Sequence, residues 1–224
     1  MDVIVNIGES LSIQPAVFNS LIVIFCLCIF IIICGAKVSK ADPSKPSKGL
    51  VFFMELAVSS IEKMANSMIG DKTGKYAPFV GFLIFYLIPI NLLGLLGLTT
   101  PTSNYNVTLS LALVTLTYIA LSGVQAKGVW GYLRDTYLGD MPAMLPLNII
   151  GEAAKIISLS FRLFGNILSG VVMLTIIMSL LGWFVLPLLP ALSIYFNIFA
   201  GVMQTAVFCI LTMIWLQGAT SKER

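Results

Sequence analysis

Between Ala143 and Leu181 the chain runs for almost forty residues with helical character and no Gly-Pro turn at its middle. At about 1.5 Å per residue such a helix is roughly twice as long as the hydrocarbon core of a bilayer is thick. It must either turn back on itself or lie strongly tilted, and the missing turn signal favours one long tilted helix. The stretch Ile150 to Thr175 holds Arg162 with no acidic residue close to it. An arginine at bilayer depth costs about 2.5–3.5 kcal/mol on insertion scales. A counter-charge has to be brought to it, from a distant part of the chain or from another polypeptide.

The face that carries this arginine is polar and narrow. Gly151, Lys155, Ser158, Arg162, Asn166 and Ser169 recur at steps of three or four, with Gly165 and Gly170 beside them, while the other sides are Ile, Leu, Phe and Val. Small residues on a membrane helix mark close approach of another helix. Ordinary packing with an arginine that snorkels to the headgroups is the alternative, but Arg162 lies far from the charged end of its helix. In the last apolar stretch Asn197, Gly201, Gln204 and Thr205 form a second polar stripe. Whether that stripe serves interhelical hydrogen bonds or lines a wet path, polar groups in lipid need partners or water, so the two stripes are predicted to face each other.

Hydrophobic residues make up 58% of the chain and charged residues 10%, against about 25% charge in a soluble domain. We therefore expect an all-α membrane protein, residues 1–224 forming a single membrane domain. The net charge of +3 gives no sign of nucleic-acid binding, and the absence of histidine removes Ser-His and Cys-His dyads and most zinc sites. Cys26, Cys28, Cys34 and Cys209 sit in apolar runs and read as buried thiols, with no metal or cofactor implied.

Taken in order, residues 15–34 form a first span without signal-peptide features. Residues 36–76 form a Lys-, Pro- and Ser-containing loop whose 50–69 stretch is an amphipathic helix. Glu55, Ser59, Glu62 and Asn66 line one face of that helix, which is expected to lie on the inner surface or against the bundle. Residues 77–98 form a second span kinked at Pro89, with Asn91 nearby, and residues 107–125 a third. Asn106-Val107-Thr108 fits a glycosylation sequon that short sequences match by chance. Residues 126–142 read as a loop, 143–181 as the long tilted helix and 190–217 as the last long helix. About five spans with the N-terminus outside put 36–76, 126–142 and 217–224 on the inner side. Every Lys and Arg then lies inside except Lys155, near the inner end of its helix, and Arg162.

Ser158-Leu-Ser-Phe-Arg162-Leu-Phe-Gly-Asn166-Ile167 resembles the signature of subunit a of the F-type rotary ATP synthases. Pro101-Thr-Ser-Asn-Tyr-Asn-Val-Thr108 resembles a second landmark of that family in a bacterial form, and Gln204 a third; the similarity runs from about Tyr76 to the C-terminus. The resemblance implies a stator subunit in the bacterial cell membrane, C-terminus cytoplasmic. Its two long helices would lie against the c-ring, a ring of small hairpin subunits each bearing a mid-membrane carboxylate, and its neighbours would include subunit b of the peripheral stalk. It implies two offset half-channels for H+ or Na+ with Arg162 between them. Asn166 and Gln204 would shape that site together with Asn197, Ser158, Ser169 and Thr205, and Glu152 and Lys155, with Ser158, would line the inner half-channel. No catalytic chemistry would reside in this chain.

The chain departs from that pattern on the outer side. Where many relatives carry acidic or histidine residues it has Val171 and Asn197, Asn104 stands for an acidic residue of the loop motif, and Gly94 for one in the second span. Sodium, which needs oxygen ligands and not titrating groups, is one expectation for the coupling ion; a water-filled proton path is the other. A secondary transporter or channel with Arg162 as ligand would show internal repeats or paired broken helices, which the sequence lacks. An intramembrane enzyme lacks its histidine and acidic dyad, and a passive scaffold has no use for Arg162.

Overall fold

The computed structural model describes residues 5–6, 12–13, 15–39, 49–70, 74–96, 100–138, 145–182 and 189–221. Val5–Asn6 pairs antiparallel with Ser12–Ile13 ahead of the first helix. Every element described after it is a helix, because a chain in lipid must satisfy its backbone groups internally. Helix α1 spans Pro15–Ser39, α2 Leu50–Ile69, α3 Ala77–Leu92 and α4 Tyr105–Lys127. A short α5, Val129–Leu133, continues into a wider π-helical turn at Arg134–Leu138. Helix α6 runs Leu145–Leu181, α7 Leu189–Ile194 and α8 Ala200–Thr220, with a second π-helical turn at Tyr195–Phe199 joining the last two. Among the described residues four helices are long and apolar enough to cross a membrane, and α3 is a shorter apolar one.

Two expectations change. Residues 126–142, read as a loop, contain α5 and the π-helical turn. Gly128, at φ 78°, lets the chain leave α4 and begin α5 at once. Helix α3 passes Pro89, ends at Leu92 and tightens into a 3-10 turn at Leu93–Leu96. Helix α6 is one piece of 37 residues, not a hairpin.

The core lies where α3, α4, α6 and α8 meet. Leu83 and Leu87 of α3, Ala112 of α4, Leu159 and Leu163 of α6, and Phe208 and Cys209 of α8 form its centre. Helix α4 presents Thr108, Ala112, Thr115, Ile119 and Ser122, a buried stripe of mostly small residues at steps of four and three that lets its neighbours come close. Thr115 and Thr212 give their hydroxyls to the carbonyls of Leu111 and Phe208, each at 2.8 Å, so neither leaves a donor unmet in the dry interior. Helix α4 starts on Asn104, whose side chain accepts the Asn106 N–H at 2.9 Å. Helix α2 packs on α3 and α8 through Ile61 and Ala65, and α1 sits against α3 around Val23, Tyr86 and Ile90, with Ser20 bonded to the Tyr86 hydroxyl at 2.8 Å.

Candidate functional site

Arg162 stands near the middle of α6, on the border of the packed face. Leu159, Ser160, Leu163, Ile167 and Gly170 are buried against α4 and α8, and Arg162 and Asn166 flank them half-buried. Ser158 and Ser169 are exposed on the open side, where Ser169 returns its hydroxyl to the Asn166 carbonyl at 2.9 Å. Arg162 takes part in no ion pair or hydrogen bond among the described residues. The reason is written in the chain: from Ala153 to Lys222 it has no Asp, Glu or His. The guanidinium, which cannot shed its proton, therefore keeps its charge toward whatever lies on that flank.

Asn166 ties α6 to the last helix by donating from Nδ2 to the Ala200 carbonyl at 3.2 Å. The expected facing of two stripes is otherwise redirected. Asn197, Gly201 and Thr205 turn toward α3, where Asn91 donates to the Gly201 carbonyl at 3.2 Å and to the Thr205 hydroxyl at 3.3 Å. The seam is reciprocal. Asn91 fills the space over Gly201, where an added Cβ would lie 2.9 Å from the Asn91 Cβ. Asn197 fills the space over Gly94, where an added Cβ would lie 2.9 Å from the Asn197 Cγ and 3.3 Å from Thr100. Each antiparallel helix offers one asparagine and one glycine, three or four residues apart, to the matching pair on the other. The π-helical turn at Tyr195–Phe199 carries Asn197 into this register; such turns commonly occur at functional positions.

Asn91 Oδ1, in the seam on a residue 1% exposed, and Gln204 Nε2, next to Thr205 on a residue 8% exposed, have no hydrogen-bond partner among the described residues. An unmet acceptor and an unmet donor cost a few kcal/mol in a dry interior. They are the kind of groups that buried water satisfies.

A second polar region lies at the lysine-rich end of the bundle. A cavity of about 630 Å³ is lined by Lys127, Tyr132, Asp135, Glu152, Lys155 and Trp215, drawn from α4, α5, the π-helical turn, α6 and α8. Lys127 pairs with Asp135 and Lys155 with Glu152. The Lys155 ammonium also lies 6.0 Å from the Trp215 ring centroid, a cation–π distance, and the Lys127 ammonium 3.4 Å from the Gly218 carbonyl. Tyr132 enters the notch at Gly123, where an added Cβ would lie 2.5 Å from its ring. Burial, above all, and then the Glu152 and Tyr137 charges push the Tyr132 phenol up, against a lowering bond with Thr136. It stays a neutral phenol at physiological pH.

Among the sequence-selected residues, Arg162 and Asn166 share one flank of α6, and Asn197 and Thr205 join Asn91 and Gly94. Gln204 is buried beside that seam, and Glu152 and Lys155 form the wall of the charged cavity. Asn91 and the Lys127–Asp135 pair carry more of the geometry than the sequence reading gave them. A lone amide within the apolar run of α3 was the available signal for Asn91.

The family described as ATP synthase A chain matches residues 17–217. ATP synthase subunit a of Campylobacter curvus (strain 525.92) is 32% identical over 207 residues, 89% of each chain. ATP synthase subunit a 2 of Acaryochloris marina (strain MBIC 11017) is 35% identical over 172 residues, covering 76% of this chain and 71% of the relative. ATP synthase subunit a of Helicobacter pylori (strain Shi470) is 35% identical over 177 residues, 76% of each.

Proposed function

Because the chain belongs to the ATP synthase A chain family, a multi-pass membrane component of the synthase, we propose that it is the ion-conducting stator of the membrane sector. The observation that carries the mechanism is Arg162: a half-buried, permanently charged side chain on the open flank of a membrane helix, to which no described residue of its own chain offers a carboxylate. The missing negative charge arrives on a rotor of c-ring subunits, one carboxylate at a time. As each passes, the guanidinium favours its ionised form and so drives off the bound H+ or Na+. The same charge repels free cations and blocks a direct leak, so the ion must travel with the ring.

Two polar regions supply the access routes on either side of Arg162. The cavity between α4, α5, α6 and α8 is the inner half-channel, with Glu152, Lys155 and Ser158 toward its end. The seam of Asn91, Asn197, Gln204 and Thr205 is the wall of the outer one; its unmet polar atoms favour a hydrated route. Ser169 and Asn166 lie on the rotor-facing flank, and subunit b packs elsewhere on the bundle. The N-terminus is outside and the C-terminus cytoplasmic, by the distribution of lysine and arginine.

Complex isolated through a tag on this chain is expected to carry the ring with it and to pump ions on adding ATP. Recovery of the chain without a ring, carrying ion flux on its own, would instead identify a separate transporter. The ion is read by comparing ATP hydrolysis and pumping at alkaline pH with and without sodium. An outer route without Asp, Glu or His in its helices fits sodium, and sodium-independent activity would assign the proton.

A further inference from the structure

Between α1, α2 and α3 lies a cleft of about 430 Å³, apart from the ion-conducting regions. Its walls are apolar: Phe30 and Ile31 of α1, Met54 and Val58 of α2, Phe82 and Phe85 of α3. Gly35, Ala77 and Gly81 make the room, and an added Cβ at Gly35 would meet nothing within 4 Å. The cleft changes character at one end, where Glu62 and Gly74 line it.

Helix α2 changes character at the same level. Its first half exposes Phe52, Phe53, Leu56 and Val58, with Glu55 the exception; its second half exposes Glu62, Lys63, Asn66 and Ser67. The boundary between hydrocarbon and headgroups therefore crosses α2 near Glu62, which is also the mouth of the cleft. Three exposed lysines stand next in sequence to residues of the cleft, though none lines it, and the Lys75 ammonium lies 5.7 Å from the Tyr76 ring centroid. Lys37 precedes Val38 of the cleft wall, Lys63 follows Glu62, and Lys75 follows Gly74, three cations against one lining carboxylate.

We propose that the cleft is a binding site for an anionic phospholipid of the inner leaflet, with an acyl chain between α1, α2 and α3 and its phosphate among Lys37, Lys63 and Lys75. An apolar slot that ends in cations at the headgroup level matches an amphiphile with negative charge at the corresponding point. Lysines near a membrane surface strengthen attachment of anionic lipid. A second protein helix would not call for cations at the mouth alone.

The test uses the whole complex in detergent, washed with mixed micelles of phosphatidylglycerol and phosphatidylcholine, with retained lipid counted by native mass spectrometry. The wild-type complex is expected to hold phosphatidylglycerol that Gly35→Phe, placed where an added Cβ meets nothing within 4 Å, loses. The Lys37→Gln/Lys75→Gln variant is expected to keep a lipid but to lose about tenfold or more in preference for the anionic one. Equal retention by wild type and Gly35→Phe, or an unchanged preference in the lysine variant, would overturn the proposal. A photo-reactive residue at position 35 gives an independent reading in assembled complex. Its label is expected on phospholipid, and a label on another subunit would show that protein fills the cleft.

Discussion

Arg162→Ala is expected to abolish ATP-driven pumping and ion-driven ATP synthesis while the complex still assembles. The size of the loss follows from charge. At an effective dielectric of about 20, a guanidinium roughly 4 Å from a carboxylate contributes about 4 kcal/mol, or about three pKa units. Without it the rotor carboxylate holds its ion on the order of a thousandfold more tightly at the point where it must let go. A fall of at least about a hundredfold in coupled transport is the result to look for, in inverted vesicles, beside the subunit content of tag-purified complex. Assembly should survive, because Arg162 makes no hydrogen bond or ion pair among the described residues that the alanine would break. Unaltered pumping would remove the basis of the assignment.

Gly201→Ala is expected to be the next most damaging change. The new methyl would stand 2.9 Å from the Asn91 Cβ and 3.6 Å from its Cγ. Both Cβ atoms are fixed to backbone, so α3 and α8 have to part. Overpacking of this kind costs about 1–3 kcal/mol. The separation also pulls Asn91 from the Gly201 carbonyl and the Thr205 hydroxyl, and each such bond is worth roughly 0.6 kcal/mol within a membrane. Pumping per assembled complex should fall about tenfold, a change of about 1.4 kcal/mol, with less of the chain recovered in complex. Gly94→Ala should be milder, since it meets the Asn197 amide, which can swing aside, and Gly94→Ala/Asn197→Ala should recover most of its loss. Wild-type pumping and recovery in Gly201→Ala would mean that α3 and α8 do not approach as closely as described.

Much of this was legible in the chain because lipid restricts the choices. Long apolar runs must be helices, an unbroken run without a turn signal becomes the single helix α6, and a lone arginine within it is conspicuous. The pairing of helices was harder to read. Helix α3 is apolar on nearly every side but for Asn91, so nothing in it marks it as the partner of the polar stripe on the last helix. Asn197 and Thr205 were placed toward Arg162 by analogy of pattern and turned out to face Asn91 and Gly94, a partnership that exists only in three dimensions. Residues 126–142 looked like a loop because their charges and glycines mask Tyr132, whose burial depends on a notch at Gly123 on another helix. The charged cavity is built from five separate elements, and no single stretch of sequence announces it.

The unbroken course of α6 has a consequence for how this chain can vary. Its 37 residues at about 1.5 Å each make a rod of roughly 55 Å, with Arg162 close to its midpoint. Every side chain along it is locked to every other by a rotation of about 100° per residue. Substitutions act where they occur, but one residue added or removed on the N-terminal side of Arg162 would swing the guanidinium off the open flank relative to Glu152 and Lys155. With no loop inside the rod to absorb the change, the spacing of this segment is as much a part of the machine as its chemistry.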